Sequence, residues 1–257
     1  MLVFVIDLDG TVQGDISPQI QEYVFLKSIN VKYNTKYLVE DYSKGLIRPH
    51  FKKFVDTVKS HSLNIQLFVY TASETKWANV IVPVIEKLVG FKFNRPIFSR
   101  AHCDMTVDKH KSLKLIAPSI VRTLKRKYSN AKIDTDTIKR MTYLIDNNYV
   151  LQEQYHLVKC PSYERMIHID PLRQLTNAET NMYKKQISES ILRRKYTDEN
   201  IWEILEGVYR LIKVNHKKNH RKNKKSKKDT FWNAISIIIQ SSQNHAEIIM
   251  KLRQIIS

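Results

Sequence analysis

MLVFVIDLDGTVQG, residues 1–14, joins an apolar run from Leu2 to Ile6 to the polar sequence Asp7-Leu8-Asp9-Gly10-Thr11. An uninterrupted, β-branched apolar run of this length predicts a strand covered on both faces, as in parallel sheets. Side chains alternate along a strand, so Asp7 and Asp9 fall on one side of its C-terminal end. Open α/β sheets bind ligands at that edge. A helix cap or a turn, with Asp9-Gly10 supplying the turn chemistry, is the competing reading of the same residues.

Working outward, Ser17 to Ile29 carries a serine cap, a proline in the first turn and helical apolar spacing, which predicts a helix. Residues 49–60 read as a second amphipathic helix introduced by Pro49. NIQLFVY, 64–70, predicts a strand running into Thr71-Ala72-Ser73. Residues 74–89 are helical in pattern, with Pro83 expected to kink or interrupt them. A short strand near 96–99, a helix near 111–126, and the strand TYLID at 142–146 follow, with two shorter extended pieces at 155–158 and 166–169. Strands alternating with helices argue an α/β fold with a parallel sheet. The segments so defined are an α/β domain over 1–175, a helical extension over 176–212, a basic linker over 213–229 and an apolar helix or helix pair over 230–257. The last has a long apolar face that must pack on its own domain or on a protein partner.

The chain of 257 residues is long enough for a full core, and 42% apolar with 26% charged residues is ordinary for a globular protein. No run of eighteen apolar residues occurs, which predicts no membrane span. The first residues lack a basic leader and end in two aspartates, unlike a secretory signal. Cys103 and Cys160 have no metal-binding spacing, and the default for such thiols is the reduced state of the cytoplasm or nucleus. The net charge of +18 is unusual, and half of it lies in KVNHKKNHRKNKKSKK, 213–228, with nine Lys/Arg and no acid. So dense a run predicts a disordered or solvated segment. Its partner would be polyanionic, such as nucleic acid, an acidic protein tail or a phosphorylated polymer. A nuclear localisation signal reads equally well.

Three predicted strands end in polar groups: Asp7 with Asp9, Thr71, and Asp146 with Asn147. Between the last two lie Lys109, Lys111 and Lys114. Side by side in a parallel sheet, these ends converge on one crevice. The set meets the needs of phosphoryl transfer through an aspartyl-phosphate. One carboxylate attacks phosphorus, and the second protonates the departing oxygen and later activates water. A hydroxyl and a lysine hold the phosphoryl oxygens, and a hard divalent cation such as magnesium, which prefers oxygen ligands, offsets the negative charge.

In this order the residues resemble the haloacid dehalogenase superfamily. Arg48-Pro49-His50 followed by Phe54, LFVYTASETKWANVIVPVIEKL at 67–88 and IFSRAHC at 97–103 narrow the resemblance to the Fcp/Scp phosphatases. Those enzymes dephosphorylate the C-terminal repeats of RNA polymerase II and related phosphoproteins. The resemblance covers about residues 1–172. It implies a Rossmann-like parallel sheet with Asp7 as nucleophile, Asp9 as general acid/base, Thr71 as phosphoryl ligand and Lys111 as the neutralising lysine. It also implies magnesium held by the Asp7 carboxylate, the Asp9 carbonyl and the Asn147 side chain, with Asp146 orienting Lys111 or a metal-bound water. The sequence departs from the family pattern at Ser112, where an acid is usual, at Asn148-Tyr149, where Ser-Pro is usual, and at Gly10. Lys109 and Lys114 therefore remain alternatives to Lys111.

No large insertion with an evident core separates Asp9 from Thr71 or Thr71 from Lys111. A small or absent cap and an open crevice are expected, suited to a phosphate carried on a polymer. Arg48, Ser73 and Arg100, with Thr71, are the candidate substrate-binding residues; Arg48 and Arg100 read equally well as ordinary salt-bridge partners. His50 and His102 read as structural, Trp77 as core, and Cys103 as a buried thiol with nothing nearby to activate it. The leading expectation is a magnesium-dependent phosphatase for phosphoserine or phosphothreonine in a protein tail. A nucleic-acid end phosphatase keeps the chemistry and changes the substrate. A non-catalytic scaffold docking into a transcription assembly or a virus particle is the third reading; the Lys-, Asn- and Ile-rich composition suggests an AT-rich genome, and large DNA viruses encode phosphatases of this type.

Overall fold

The computed structural model describes residues 1–104, 106, 110–129, 133–148, 151, 153, 156–193 and 228–256. Four parallel strands, β1 (Leu2–Ile6), β2 (Ile65–Val69), β3 (Thr142–Asp146) and β4 (Leu157–Lys159), pair in the order β2-β1-β3-β4. All residues of β1, β2 and β3 are buried, which is why these segments read as mainly apolar runs, unbroken in β1 and interrupted in β2 by Gln66. In register, Ile6 lies beside both Val69 and Ile145. The three strands therefore end level, and Asp7, Tyr70-Thr71 and Asp146 emerge together at one edge.

Nine helices accompany the sheet among the described residues: α1 (Ser17–Ser28), α2 (Thr35–Asp41), α3 (Phe51–Ser60), α4 (Thr75–Val89), α5 (Leu113–Lys127), α6 (Thr135–Met141), α7 (Asn177–Arg193), α8 (Phe231–Gln240) and α9 (His245–Ile256). The apolar stripe of α4 (Trp77, Ala78, Ile81, Val82, Ile85, Val89) and that of α5 (Leu113, Ile116, Ile120, Leu124) are buried at helical spacing. Helix α4 runs through Pro83 without ending there and stops at Gly90, whose φ of 65° supplies the left-handed cap. Among the described residues no helix is long and apolar enough to cross a membrane.

By packing, the chain divides into two compact units, neither contiguous in sequence. The first combines Met1–Gly14, Ile47–Glu164 and Lys227–Ser257 and holds the sheet. The second combines Asp15–Leu46 and Arg165–Ser226. Boundaries at 175 and 229 thus delimit stretches of chain, whereas packing groups 15–46 with 165–193 and returns the last helices to the sheet unit. The second unit has its own small core of Phe25, Leu26 and Leu172, with Ile29, Tyr33, Leu175 and Tyr183 around it. Part of that core, Leu172 with Leu175 and Tyr183, comes from beyond 170, which is why 15–46 alone shows no core in sequence. At its polar centre Arg173 forks onto the buried carboxylates of Glu22 (2.9 and 3.0 Å) and Asp41 (2.8 and 2.7 Å).

Several local expectations shift. Residues 96–99 form no strand: only a bridge joins Tyr70 to Phe98, because Pro96 has no N–H and the chain bends there. At 166–169 a single bridge joins Met166 to Asp15. The seven-residue helices α2 and α6 are too short to show periodicity. They are marked by their caps instead: Asn34 accepts from the Lys36 N–H (3.0 Å) and Asp134 from the Thr137 N–H (2.7 Å). Residues 230–256 form a helix pair. Its apolar face is buried within the sheet unit, where Trp232 packs on Phe51 and Phe54 of α3 at ring separations of 4.9 and 4.5 Å. That face packs on the protein's own sheet unit, one of the two outcomes expected from sequence. The tract 213–227, Lys109, Tyr149 and residues 194–212 lie outside the described residues.

Candidate active site

The level strand ends place three groups in direct contact. Lys111 Nζ donates to Asp7 Oδ1 (2.5 Å) and to Asp146 Oδ2 (2.8 Å), and all three side chains are at least nine-tenths buried. Lys111 reaches this position from an extended residue bridged to Leu151, two residues before α5 begins. Lys114, the second residue of α5, is exposed. Glu153 holds that helix start by accepting from Ser112 Oγ (3.0 Å) and the Leu113 N–H (3.0 Å). An acid thus does cap this helix, delivered from the segment after Asp146-Asn147 rather than by residue 112.

Burial pushes the Asp7 carboxyl up to about 8; Lys111 opposes this, while Asp146 and Asp9 add to it. For Lys111, burial works to depress the ammonium, but Asp7 and Asp146 outweigh it and hold the group above its ordinary value. Lys111 therefore stays a cation, and two carboxylates share it.

Asp9 lies at the rim of this buried group. Its Oδ1 accepts from Gln13 Nε2 (2.7 Å) and its Oδ2 from Ser73 Oγ (2.9 Å). Thr71, fully buried, accepts the Ser73 N–H (3.1 Å), which fixes the turn after β2. Gly10 adopts φ 78°, and a Cβ there would stand 2.6 Å from Asn147 Nδ2, so the turn closes onto Asn147 only without a side chain. Thr11 Oγ1 donates to Asn147 Oδ1 (3.0 Å) and accepts the Asn147 N–H (3.1 Å), tying the first and third strand ends.

The remaining sequence candidates divide. Arg100 is exposed beside this group and donates Nε to the Ala72 carbonyl (2.8 Å). Arg48 is 1% exposed and forks onto Asp229 (3.0 and 2.8 Å), with longer contacts to the Gly10 and Thr11 carbonyls. Its charge is committed inside the molecule, where it ties the start of α8 to the Asp9-Thr11 turn. Trp232 reinforces the tie by donating Nε1 to the Thr11 carbonyl (3.1 Å). His102 accepts the Ser99 N–H (3.1 Å) and Trp77 is buried. Cys103 and Cys160 are buried free thiols, and burial raises both above the ordinary thiol value.

Gln13, Glu153, Asp229 and Trp232 have no catalytic signal in sequence. Only Gln13 could be suspected, because it closes the same tight turn as Asp9.

The oxygen-rich set of Asp7, the Asp9 carbonyl, Asp146 and Asn147 fits a hard divalent cation. Asp7 and Asp146 flank one ammonium with Asp9 at the rim, and once Asp7 is ionised such a cation would offset their negative charge. Among the described residues no group of three or more His, Cys, Asp or Glu side chains forms a metal cluster; this set differs in drawing on a carbonyl and an amide oxygen.

Residues 2–190 match the model of a family described as NLI interacting factor-like phosphatase. No curated protein matches the sequence significantly. Among solved structures, the chain is similar to an arginine-to-alanine variant of fission yeast RNA polymerase II CTD phosphatase Fcp1 bound to beryllium fluoride. The identity is 16% and the TM-score 0.47, covering 93% of this chain and 61% of that one. A second structure of Fcp1, described as an essential RNA polymerase II CTD phosphatase, has 15% identity and a TM-score of 0.42, covering 98% of this chain and 70% of that one. The chain thus spans about three-fifths of the length of the first of these.

Proposed function

The chain belongs to the NLI interacting factor-like phosphatase family, and from that premise we propose that it is a magnesium-dependent phosphatase for phosphoserine or phosphothreonine in an extended protein tail. The observation that carries this reading is the contact of Lys111 with both Asp7 and Asp146, beside an Asp9 held by Gln13 and Ser73.

In the proposed reaction an Asp7 oxygen attacks phosphorus and the bond to the serine or threonine oxygen breaks, leaving an aspartyl-phosphate. Asp9 gives its proton to the departing oxygen. It then takes a proton from water, whose oxygen attacks phosphorus, releasing inorganic phosphate and restoring Asp7. Lys111 and the Thr71 hydroxyl neutralise and orient the phosphoryl oxygens, and Asp146 holds Lys111 in place. Magnesium, held by the Asp7 carboxylate, the Asp9 carbonyl and Asn147, with Asp146 alongside, would supply further charge neutralisation at the phosphoryl group.

The test is hydrolysis of phosphopeptides by wild type and Asp7→Asn with and without EDTA. Wild type should turn over only with magnesium. Asp7→Asn should lose at least roughly 10²-fold, the lower end for a positioned catalytic group. Undiminished hydrolysis by Asp7→Asn would refute the nucleophile. Faster hydrolysis of a 3′-phosphorylated oligonucleotide than of phosphopeptides would move the substrate to nucleic acid.

A further inference from the structure

Along the outer edge of β2, Asn94 donates its N–H to the Leu67 carbonyl (2.9 Å), Phe98 to Val69 (2.9 Å) and Arg100 to Ser73 (3.0 Å). The segment 94–100 thus leads along the sheet to Arg100 beside the candidate active site. At its far end Arg95 and Pro96 form one wall of an open cavity of about 530 Å³. The other wall is the C-terminal half of α5, contributing Arg122, Arg126 and Lys127 with the hydroxyls of Ser119 and Thr123. Four cations and no carboxylate line this space.

The cavity is built rather than incidental. Arg95 is locked by a two-pronged pair with Glu86 (2.7 and 2.9 Å), and Thr123 Oγ1 donates to the Arg95 carbonyl (2.5 Å), joining the walls. Arg95 has thereby spent its charge on Glu86. The other three cations have not: Lys127 Nζ meets neutral groups, Gln66 Oε1 (2.9 Å), Asn94 Oδ1 (3.4 Å) and the face of Tyr128 (5.7 Å to the ring centre). Among the described residues, Arg122 and Arg126 are exposed and form no ion pair. Cations are favoured in the last turn of a helix, which accounts for Arg126 and Lys127, but Arg122 lies more than a turn further in.

Arginine forks and hydroxyls match the oxygens of a phosphate. The lining contains no aromatic ring, which a single-stranded nucleic acid would use for stacking. Leu113, two residues past Lys111, stands about 20 Å from Arg126 along α5 at helical rise. An extended peptide covers that distance in about six residues.

We propose that this cavity is an accessory phosphate site, taking a second phosphorylated residue of the same peptide about six residues from the one at Asp7. The proposal rests on the phosphatase reading for what occupies the Asp7 site, but binding in the cavity needs no turnover.

The experiment uses the whole chain in EDTA and measures fluorescence anisotropy with a peptide carrying two phosphoserines six residues apart, or either one alone. Wild type should bind the doubly phosphorylated peptide about tenfold more tightly, with the preference shrinking as salt rises. Arg122→Gln/Arg126→Gln keeps helix propensity at two exposed positions and should abolish the preference, with circular dichroism confirming the fold. Equal affinity of wild type for all three peptides would overturn the proposal, as would an undiminished preference in the variant. Tighter binding of a single-stranded oligonucleotide, lost on the same substitutions, would overturn the peptide assignment. A wild type that shows the preference yet hydrolyses no peptide when magnesium is restored would refute the catalytic reading and leave the accessory site standing.

Discussion

At the scale of single residues, the sharing of Lys111 between Asp7 and Asp146 governs how the site responds to protons. Burial pushes Asp7 up to about 8, so below that pH a large share of the carboxyl is protonated, whereas the proposed attack on phosphorus and the proposed cation binding would both need the carboxylate. The sign follows: if Asp7 holds magnesium as proposed, the cation has to displace a proton below about pH 8, and its affinity should rise with pH until Asp7 is fully ionised. Titration calorimetry at about pH 6.5, in buffers of different ionisation enthalpy, should show release of close to one proton per magnesium. Buffer-independent heats would refute the assignment of Asp7 as a ligand. Asp7 and Asp9 are legible in sequence because strand ends and their polar residues are local features. The fate of Arg48 is not, since its partner Asp229 lies 181 positions away.

At the scale of elements, α8 braces the Asp9-Thr11 turn from outside the sheet. Trp232 is fully buried between Phe51, Phe54 and Phe231, and its indole N–H satisfies the Thr11 carbonyl. Trp232→Ala should cost about 3–5 kcal/mol, the range for emptying a buried aromatic site. Phosphatase activity should fall in the fraction that remains folded, because Thr11 also positions Asn147. Urea unfolding followed by circular dichroism measures the first effect; a stability loss within error would show that α8 does not brace the sheet unit. In the second unit, Arg173→Ala leaves the fully buried Glu22 and Asp41 without their cation. Breaking a buried ion pair from one side costs about 3–5 kcal/mol. The variant should lower the denaturant midpoint accordingly, and an unchanged midpoint would mean the pair contributes nothing net.

At the scale of the whole molecule, charge is the dominant feature, with +18 overall and nine cations between Lys213 and Lys228. Replacing Lys217, Lys218, Arg221, Lys222, Lys224 and Lys225 with Ser or Gln should weaken binding to a polyanion. It should also flatten the dependence on salt by several units of slope, since each phosphate contact releases counterions at about 0.9 per contact. An unchanged slope would place polyanion binding elsewhere, with the cavity at Arg122 and Arg126 the first candidate. This behaviour is readable from sequence because charge density needs no contacts to act. The same is true of the β1, β2 and β3 strands and their polar ends, where burial on both faces writes itself as predominantly apolar runs. By itself, then, the sequence determined the parallel α/β sheet, the order of the polar groups along it and the family pattern they form. Tertiary structure alone decided that Lys111 rather than the exposed Lys114 meets Asp7, that Glu153 caps α5, and that Gln13 holds Asp9. It also decided that 15–46 packs with 165–193, and that α8 and α9 return to the sheet unit. Apart from the Gln13 contact, which is local to one turn, these pairings join residues from about forty to more than two hundred positions apart. Their energy resides in packing and ion pairing that no local periodicity encodes.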